Sequence, residues 1–112
     1  MKFTYDSQFK ILTLIITEEI DHYTADKIRN RTDFEIQKYM PKELIIDFAN
    51  VSFMDSAGIG MIIGRYKTMS MFGGKTYMKN VSRGVRKIFE MTGILKIIPI
   101  IEGGTKNEKC IW

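Results

Sequence analysis

The sequence predicts a single α/β domain: a mixed, mostly parallel β-sheet with an N-terminal hairpin and packed α-helices. Three observations carry this. From residue 24 onward, amphipathic stretches alternate with short apolar runs, the order that makes neighbouring strands parallel. At the start, two strand-like runs are separated by turn residues, which makes an antiparallel pair. At 112 residues the chain is long enough for one core and too short for two.

Lys2–Tyr5 and Lys10–Thr17 read as the hairpin strands. The second is rich in β-branched and apolar residues, and Asp6-Ser7-Gln8 supplies the turn. Thr24–Tyr39 places Ala25, Ile28, Thr32, Ile36 and Tyr39 at helical spacing. Asp21 or Thr24 caps its start and Pro41 stops it. Glu43–Phe48 holds Leu44-Ile45-Ile46, an apolar run too short for a helix, and reads as a buried strand. Ala57–Phe72 carries a broad apolar face of Ile59, Ile62, Ile63, Tyr66, Met69 and Phe72, and Gly73-Gly74 ends it. Lys75–Lys79 is a strand. Ser82 caps a short helix bearing Val85, Ile88 and Phe89, closed by Gly93. Ile94–Ile101 is at least partly strand, and Pro99 places it at a sheet edge.

Composition narrows the function classes. A chain 45% hydrophobic and 27% charged is not disordered by composition. The net charge of +4 is too mild to call for nucleic acid, so no direct DNA binding is expected. The lone Cys110 forbids an internal disulfide framework, and the lone His22 has no carboxylate cluster around it to make a metal site. No apolar run approaches the ~20 residues of a membrane helix. The opening MKFTYDSQFK has no apolar signal region, so a cytoplasmic protein without membrane contact is expected. The ordered core is expected over residues 2–101, with 102–112 a loosely ordered tail carrying Cys110 and Trp112.

The densest signal runs from Asp47 to Gly64, DFANVSFMDSAGIGMIIG. Ser56 stands between a turn and an apolar helix, where a serine commonly serves as the N-cap. Gly58, Gly60 and Gly64 follow inside the helix, where each costs about 1 kcal/mol relative to Ala. They imply either tight packing on the sheet or close approach by another molecule. The spacing is not a dinucleotide fingerprint, because Ile63 holds the third glycine's place. Gly74-Lys75-Thr76 is not a phosphate loop, because Met69 stands where its first glycine belongs and a helix precedes a strand. Nor is Ser56 a nucleophile of the elbow type, since Met54 replaces the leading glycine; no catalytic residue is assigned. The basic set Lys79, Arg83, Arg86 and Lys87 reads as a solvated helix face or a weak nucleic acid patch. Met54, Met61 and Met69 read as core filler or an adaptable partner surface.

From Val51 to Lys67, VSFMDSAGIGMIIGRYK, the chain resembles the STAS family, and more narrowly the antagonists of the sporulation anti-sigma F factor. EIDHYTADKIRNR at 19–31, LIIDF at 44–48 and VRKIFEMTGILKII at 85–98 extend the resemblance in the family's order and spacing. Glu18 departs from it, standing where the family usually has Gly.

The resemblance implies a STAS fold and a regulatory role, not an enzyme. Within D-S-x-G-x-G, Ser56 is implied to be a phosphoacceptor. Unphosphorylated, such a protein binds an anti-sigma factor that is also a serine kinase, and the sigma factor is freed. Phosphorylation from the partner's ATP releases it, and a PP2C-type phosphatase restores it. Asp21, Asp55, Ser56, Gly58 and Gly60 are the implied partner-binding residues, and no cofactor is implied for the chain itself. Two rival readings stand beside this one: a STAS module of a stress-signalling partner switch, and a nucleotide-binding domain.

Overall fold

The computed structural model describes residues 1–101. The tail expected over 102–112, with Cys110 and Trp112, lies outside the described residues. Among the described residues the elements are β1 (Lys2–Asp6), β2 (Ile11–Ile15), α1 (His22–Tyr39), β3 (Glu43–Asp47), α2 (Ser56–Met71), β4 (Lys75–Lys79), α3 (Arg83–Thr92), a 3₁₀ turn (Ile94–Lys96) and β5 (Ile100–Ile101). The predicted element order holds. The second strand is shorter than read, Ile11–Ile15, because Lys10 takes a left-handed conformation at φ 58° and ends the turn there.

The sheet runs β1-β2-β3-β4-β5; β1 pairs antiparallel with β2, and every later pair is parallel. The Asp6 carboxylate accepts from the N–H groups of Gln8 and Phe9 and shapes the hairpin turn. From β2 onward each crossover moves the chain one strand over in the same direction. Crossovers of one hand that step one way leave their helices on one face. The burial pattern agrees. Leu12, Leu14, Leu44, Ile46 and Met78 share a cluster with Ile28, Ile36, Ile59, Ile62, Val85 and Phe89 of the three helices. Ile45 and Ile101, on the opposite face, are buried outside that cluster.

The ends of α1 and α3 follow the local sequence. Asp21 caps α1 in a reciprocal capping box with Thr24, so both residues read as candidate caps take part. Ser82 caps α3, and Gly93 closes it at φ 78°. The α2 helix buries Gly58, Ile59, Met61, Ile62, Arg65 and Met69 and packs against α1 and β4, while Ser56, Gly60, Lys67, Ser70 and Met71 stay exposed. Met54, Met61 and Met69 are therefore core, not a partner surface.

Among the described residues two charged side chains are buried: Glu35 of α1, beside Arg31, and Arg65 of α2. Arg65 of α2 is 6% exposed, and its Nε lies 2.9 Å from Asp33 Oδ1 on α1. The approach is off the N–H axis, so the contact is an ion pair without a hydrogen bond, and Arg65 Nη1 finds no partner among the described residues. Burial lowers the Arg65 pKa, and the Asp33 charge opposes that. Removing one member of such a pair strands the other. Asp33→Asn should lower stability by about 2 kcal/mol, less than for a fully buried pair because Asp33 is partly exposed. Urea unfolding reads this as a lower midpoint at unchanged slope.

Candidate functional site

The parallel pairing of β2, β3 and β4 brings three chain exits together at the C-terminal edge of the sheet, where sites in open α/β folds usually lie. The exit of β3 is the irregular segment 48–55. Its first half is tied to the exit of β4. Phe48 is buried and donates its N–H to Lys79 O at 3.0 Å, while the Asp47 carboxylate accepts from Ala49 N–H at 2.9 Å and Asn80 Nδ2 at 3.0 Å. Phe48 meets the Phe89 ring of α3 edge-on at 5.4 Å.

Its second half is tied to the exit of β2. Glu19 Oε1 accepts from the N–H groups of Ser52 at 2.9 Å and Phe53 at 3.3 Å, and its Oε2 accepts from the Ser52 hydroxyl at 2.5 Å. Next in line, Met54 bridges to Ile20, and the Asp55 N–H donates to Ile20 O at 3.4 Å. The segment leading to α2 is thus latched to the segment leading to α1. Glu18 has no positive φ, so the glycine usual at this position in the family is not required here.

At the start of α2 the structure corrects one expectation. Ser56 is not the N-cap. Asp55 is, and its carboxylate accepts from the N–H groups of Ala57 at 2.9 Å and Gly58 at 3.3 Å. Ser56 is the first helical residue, exposed, and its hydroxyl forms no hydrogen bond among the described residues. The backbone decides this: Asp55 takes the extended conformation of an N-cap, at φ −98° and ψ −171°, and helical geometry begins at Ser56.

The glycines divide. Gly58 is buried, and a Cβ there would sit 2.9 Å from Ile20 Cγ2 and 3.1 Å from Met54 Cβ, which explains the missing side chain by packing. Gly60 is exposed and a Cβ there would meet nothing within 4 Å, so no packing explains it. It lies beside a shallow groove of about 200 Å³ between α1 and α2, rimmed by His22, Asp26 and Arg29. Asp21, also exposed, stands at the head of α1 on the same edge of the sheet; its Oδ1 accepts from Thr24 N–H at 2.8 Å.

Four of the five predicted residues, Asp21, Asp55, Ser56 and Gly60, are solvent-accessible at one edge, and Gly58 lies beneath them. Glu19 escaped the sequence reading because its partners are 33 and 34 residues away. The basic face of α3 starts nearby: a Cβ on Gly84 would lie 3.5 Å from Ser52 O. Among the described residues no group of three His, Cys, Asp or Glu side chains could hold a metal ion.

Hydrogen bonds hold two carboxyls below their ordinary pKa. For Glu19 the Ser52 hydroxyl is the largest cause, followed by the Ser52 N–H; for Asp21 the Thr24 N–H leads, followed by its hydroxyl. A lowered pKa stabilises the folded state above the ordinary value and is lost as pH falls through the folded one. In an acid titration followed by NMR, the Ser52, Phe53 and Thr24 amides should shift with midpoints below the ordinary 4.5 and 3.8 of Glu19 and Asp21. The glycines should respond to alanine with opposite signs. Gly60→Ala should gain up to about 1 kcal/mol from helix propensity. Gly58→Ala should lose about 1–2 kcal/mol, because the clash outweighs that gain. Thermal unfolding of both variants checks this.

Comparison with known proteins agrees with this geometry. A family model for the STAS domain matches residues 3–103. Over 92 residues, 82% of this chain and 79% of the relative, the sequence is 35% identical to an anti-sigma F factor antagonist of Paenibacillus polymyxa. Over 97 residues, 82% of each chain, it is 33% identical to an anti-sigma-B factor antagonist of Listeria monocytogenes. The solved structure of the anti-sigma factor antagonist SpoIIAA in its unphosphorylated form matches with a TM-score of 0.78 at 26% identity, covering 97% of this chain and 93% of that one. The phosphorylated form of the Bacillus SpoIIAA matches with a TM-score of 0.70 at 25% identity, covering 98% and 97%.

Proposed function

We propose that this chain, which belongs to the STAS domain family, is an anti-sigma factor antagonist switched by phosphorylation of Ser56. The observation that carries the reading is the division of labour at the head of α2. Asp55 does the capping, so the Ser56 hydroxyl is exposed and has no structural task. It is therefore open to modification at no cost to the fold.

In this reading the unphosphorylated chain binds an anti-sigma factor and the sigma factor is released. The partner is a serine kinase holding ATP or ADP. It transfers the γ-phosphoryl group of ATP to Ser56 Oγ, ADP is left, and the hydroxyl proton goes to solvent or a partner base. The chain is the substrate and ligand in this step, and the partner is the enzyme. A PP2C-type phosphatase hydrolyses the phosphoserine and restores binding. The exchange takes place in the cytoplasm, and control of sporulation-type transcription is its output.

The physics of the site suits such a switch. A phosphate adds about −1.5 to −2 charges at pH 7. At a helix N-terminus the dipole tolerates that charge, so the fold survives it. The same charge inside an interface must be desolvated and can meet like charge on the partner. That SpoIIAA has been solved in both forms supports the tolerance. Gly60 lets a partner approach the serine closely, and Asp21 and Asp55 offer carboxylates at the rim to partner cations. Gly58 contributes from beneath by seating α2 against Ile20. The identity to the Listeria anti-sigma-B antagonist favours a second reading, the same switch in a stress circuit.

A paired pull-down with ADP present tests the proposal, using Ser56→Ala and Ser56→Asp as baits and mass spectrometry to identify what is held. Ser56→Ala should retain a small serine-kinase anti-sigma factor, and Ser56→Asp should bind it about tenfold or more weakly. Equal retention by the two baits, or none by either, sinks the proposal. The sigma factor that the captured protein inhibits separates the sporulation circuit from the stress circuit.

A further inference from the structure

Phe53 combines an exposed ring with a tethered backbone. Its ring is 62% exposed, yet the backbone on both sides of it is fixed. Ser52 and Phe53 both donate their N–H groups to Glu19 Oε1, the Ser52 hydroxyl is held by Oε2, and Met54 is 1% exposed and bridged to Ile20. The backbone that carries the ring is thus tied down on both sides while the ring itself stands in water. Exposed, pre-organised aromatic side chains are typical anchors of protein interfaces. Among the exposed large apolar residues, Phe53 stands in the segment that leads into Ser56, whereas Phe9, whose N–H is likewise held by a carboxylate, lies in the hairpin turn before β2. Tyr23 has the Lys27 ammonium over its ring at 5.6 Å, and Met71 and Phe72 lie at the far end of α2 from Ser56.

We infer that Phe53 is the apolar anchor by which the anti-sigma partner docks beside Ser56, and that Glu19 is the positioning residue that presents it. This rests on the function proposed above. The occupant follows from distance along the chain. Two residues separate Phe53 from Ser56, whereas a specific interface covers roughly 800 Å² on each side. A partner that engages the serine therefore covers the ring as well, and needs an apolar pocket to receive it. The hydrogen bonds of Glu19 go to Ser52 and Phe53 and not to Ser56, so it acts through those two residues.

The test uses the Ser56→Ala chain, which cannot be phosphorylated at that position, and the purified protein retained in the pull-down described above. Affinity is measured for added Phe53→Ala, Glu19→Ala, Glu19→Gln and Phe34→Ala, the last an exposed phenylalanine on α1. Amide hydrogen exchange at Ser52 and Phe53 is followed in each. Phe53→Ala should weaken binding about tenfold or more with exchange unchanged. Glu19→Ala should weaken binding and accelerate exchange at those two amides alone. Glu19→Gln, which keeps a carbonyl oxygen for both N–H groups, should restore both readings. Phe34→Ala should change neither. Undiminished affinity in Phe53→Ala, or an equal loss in Phe34→Ala, overturns the anchor. Unchanged exchange in Glu19→Ala, or failure of Glu19→Gln to restore both readings, overturns the positioning role. A Ser56→Ala chain that retains no protein removes the proposed function itself, and this inference falls with it.

Discussion

Parallel strand pairing creates a problem that the rest of this molecule is arranged to solve. Because β2, β3 and β4 run the same way, their chains leave the sheet together, and each exit carries backbone N–H groups with no strand to receive them. Four carboxylates take them up. Asp47 and Glu19 bind the exit of β3, and Asp21 and Asp55 cap the two helices that begin there. The result is an edge whose loops are hydrogen-bonded to one another and not only to solvent. The position of α2, and with it that of Ser56, depends on this set of contacts.

Much of the fold was legible in the sequence because its signals are local. Alternation of short apolar runs with amphipathic stretches gave the element order, and Asp21, Ser82 and Gly93 marked helix ends through chemistry that acts within one turn. At Ser56 the same rule named the right place and the wrong residue. Serine and aspartate are comparable caps in isolation, and only the chain geometry decided for Asp55. Long-range features were not legible. Glu19 reads as one more surface charge until Ser52 is folded against it, and Arg65 as one more exposed cation until α2 sinks between α1 and β4. The glycine triplet was read as one signal, yet Gly58 answers to packing and Gly60 does not.

The electrostatics of the edge bear on the proposed switch. Glu19 and Asp21 are held below their usual pKa there by hydrogen bonds, and the Asp55 side chain caps α2 beside them. A phosphate on Ser56 would add charge to a region whose own donors are largely engaged by carboxylates. The dipole of α2 and the solvent are left to balance it, with Arg29 on the groove rim and the basic face of α3 beyond. That is enough for the isolated chain, whose site is open to water. It is a poor arrangement for a closed interface, where water is excluded and each unpaired charge costs more. The same edge therefore discriminates between the free and bound states.

The assignment of the cap to Asp55 has a consequence for the lifetime of the protein. If Ser56 closed the helix, phosphorylation would alter the very group that caps α2. With the cap next door, the modification proposed for Ser56 would leave the Asp55 cap in place above the buried Met54 and Ile20. A cell could then hold the inactive form as a durable reserve and return it to service by hydrolysing one ester, without new synthesis. The speed of the response would be set by the phosphatase and not by the ribosome.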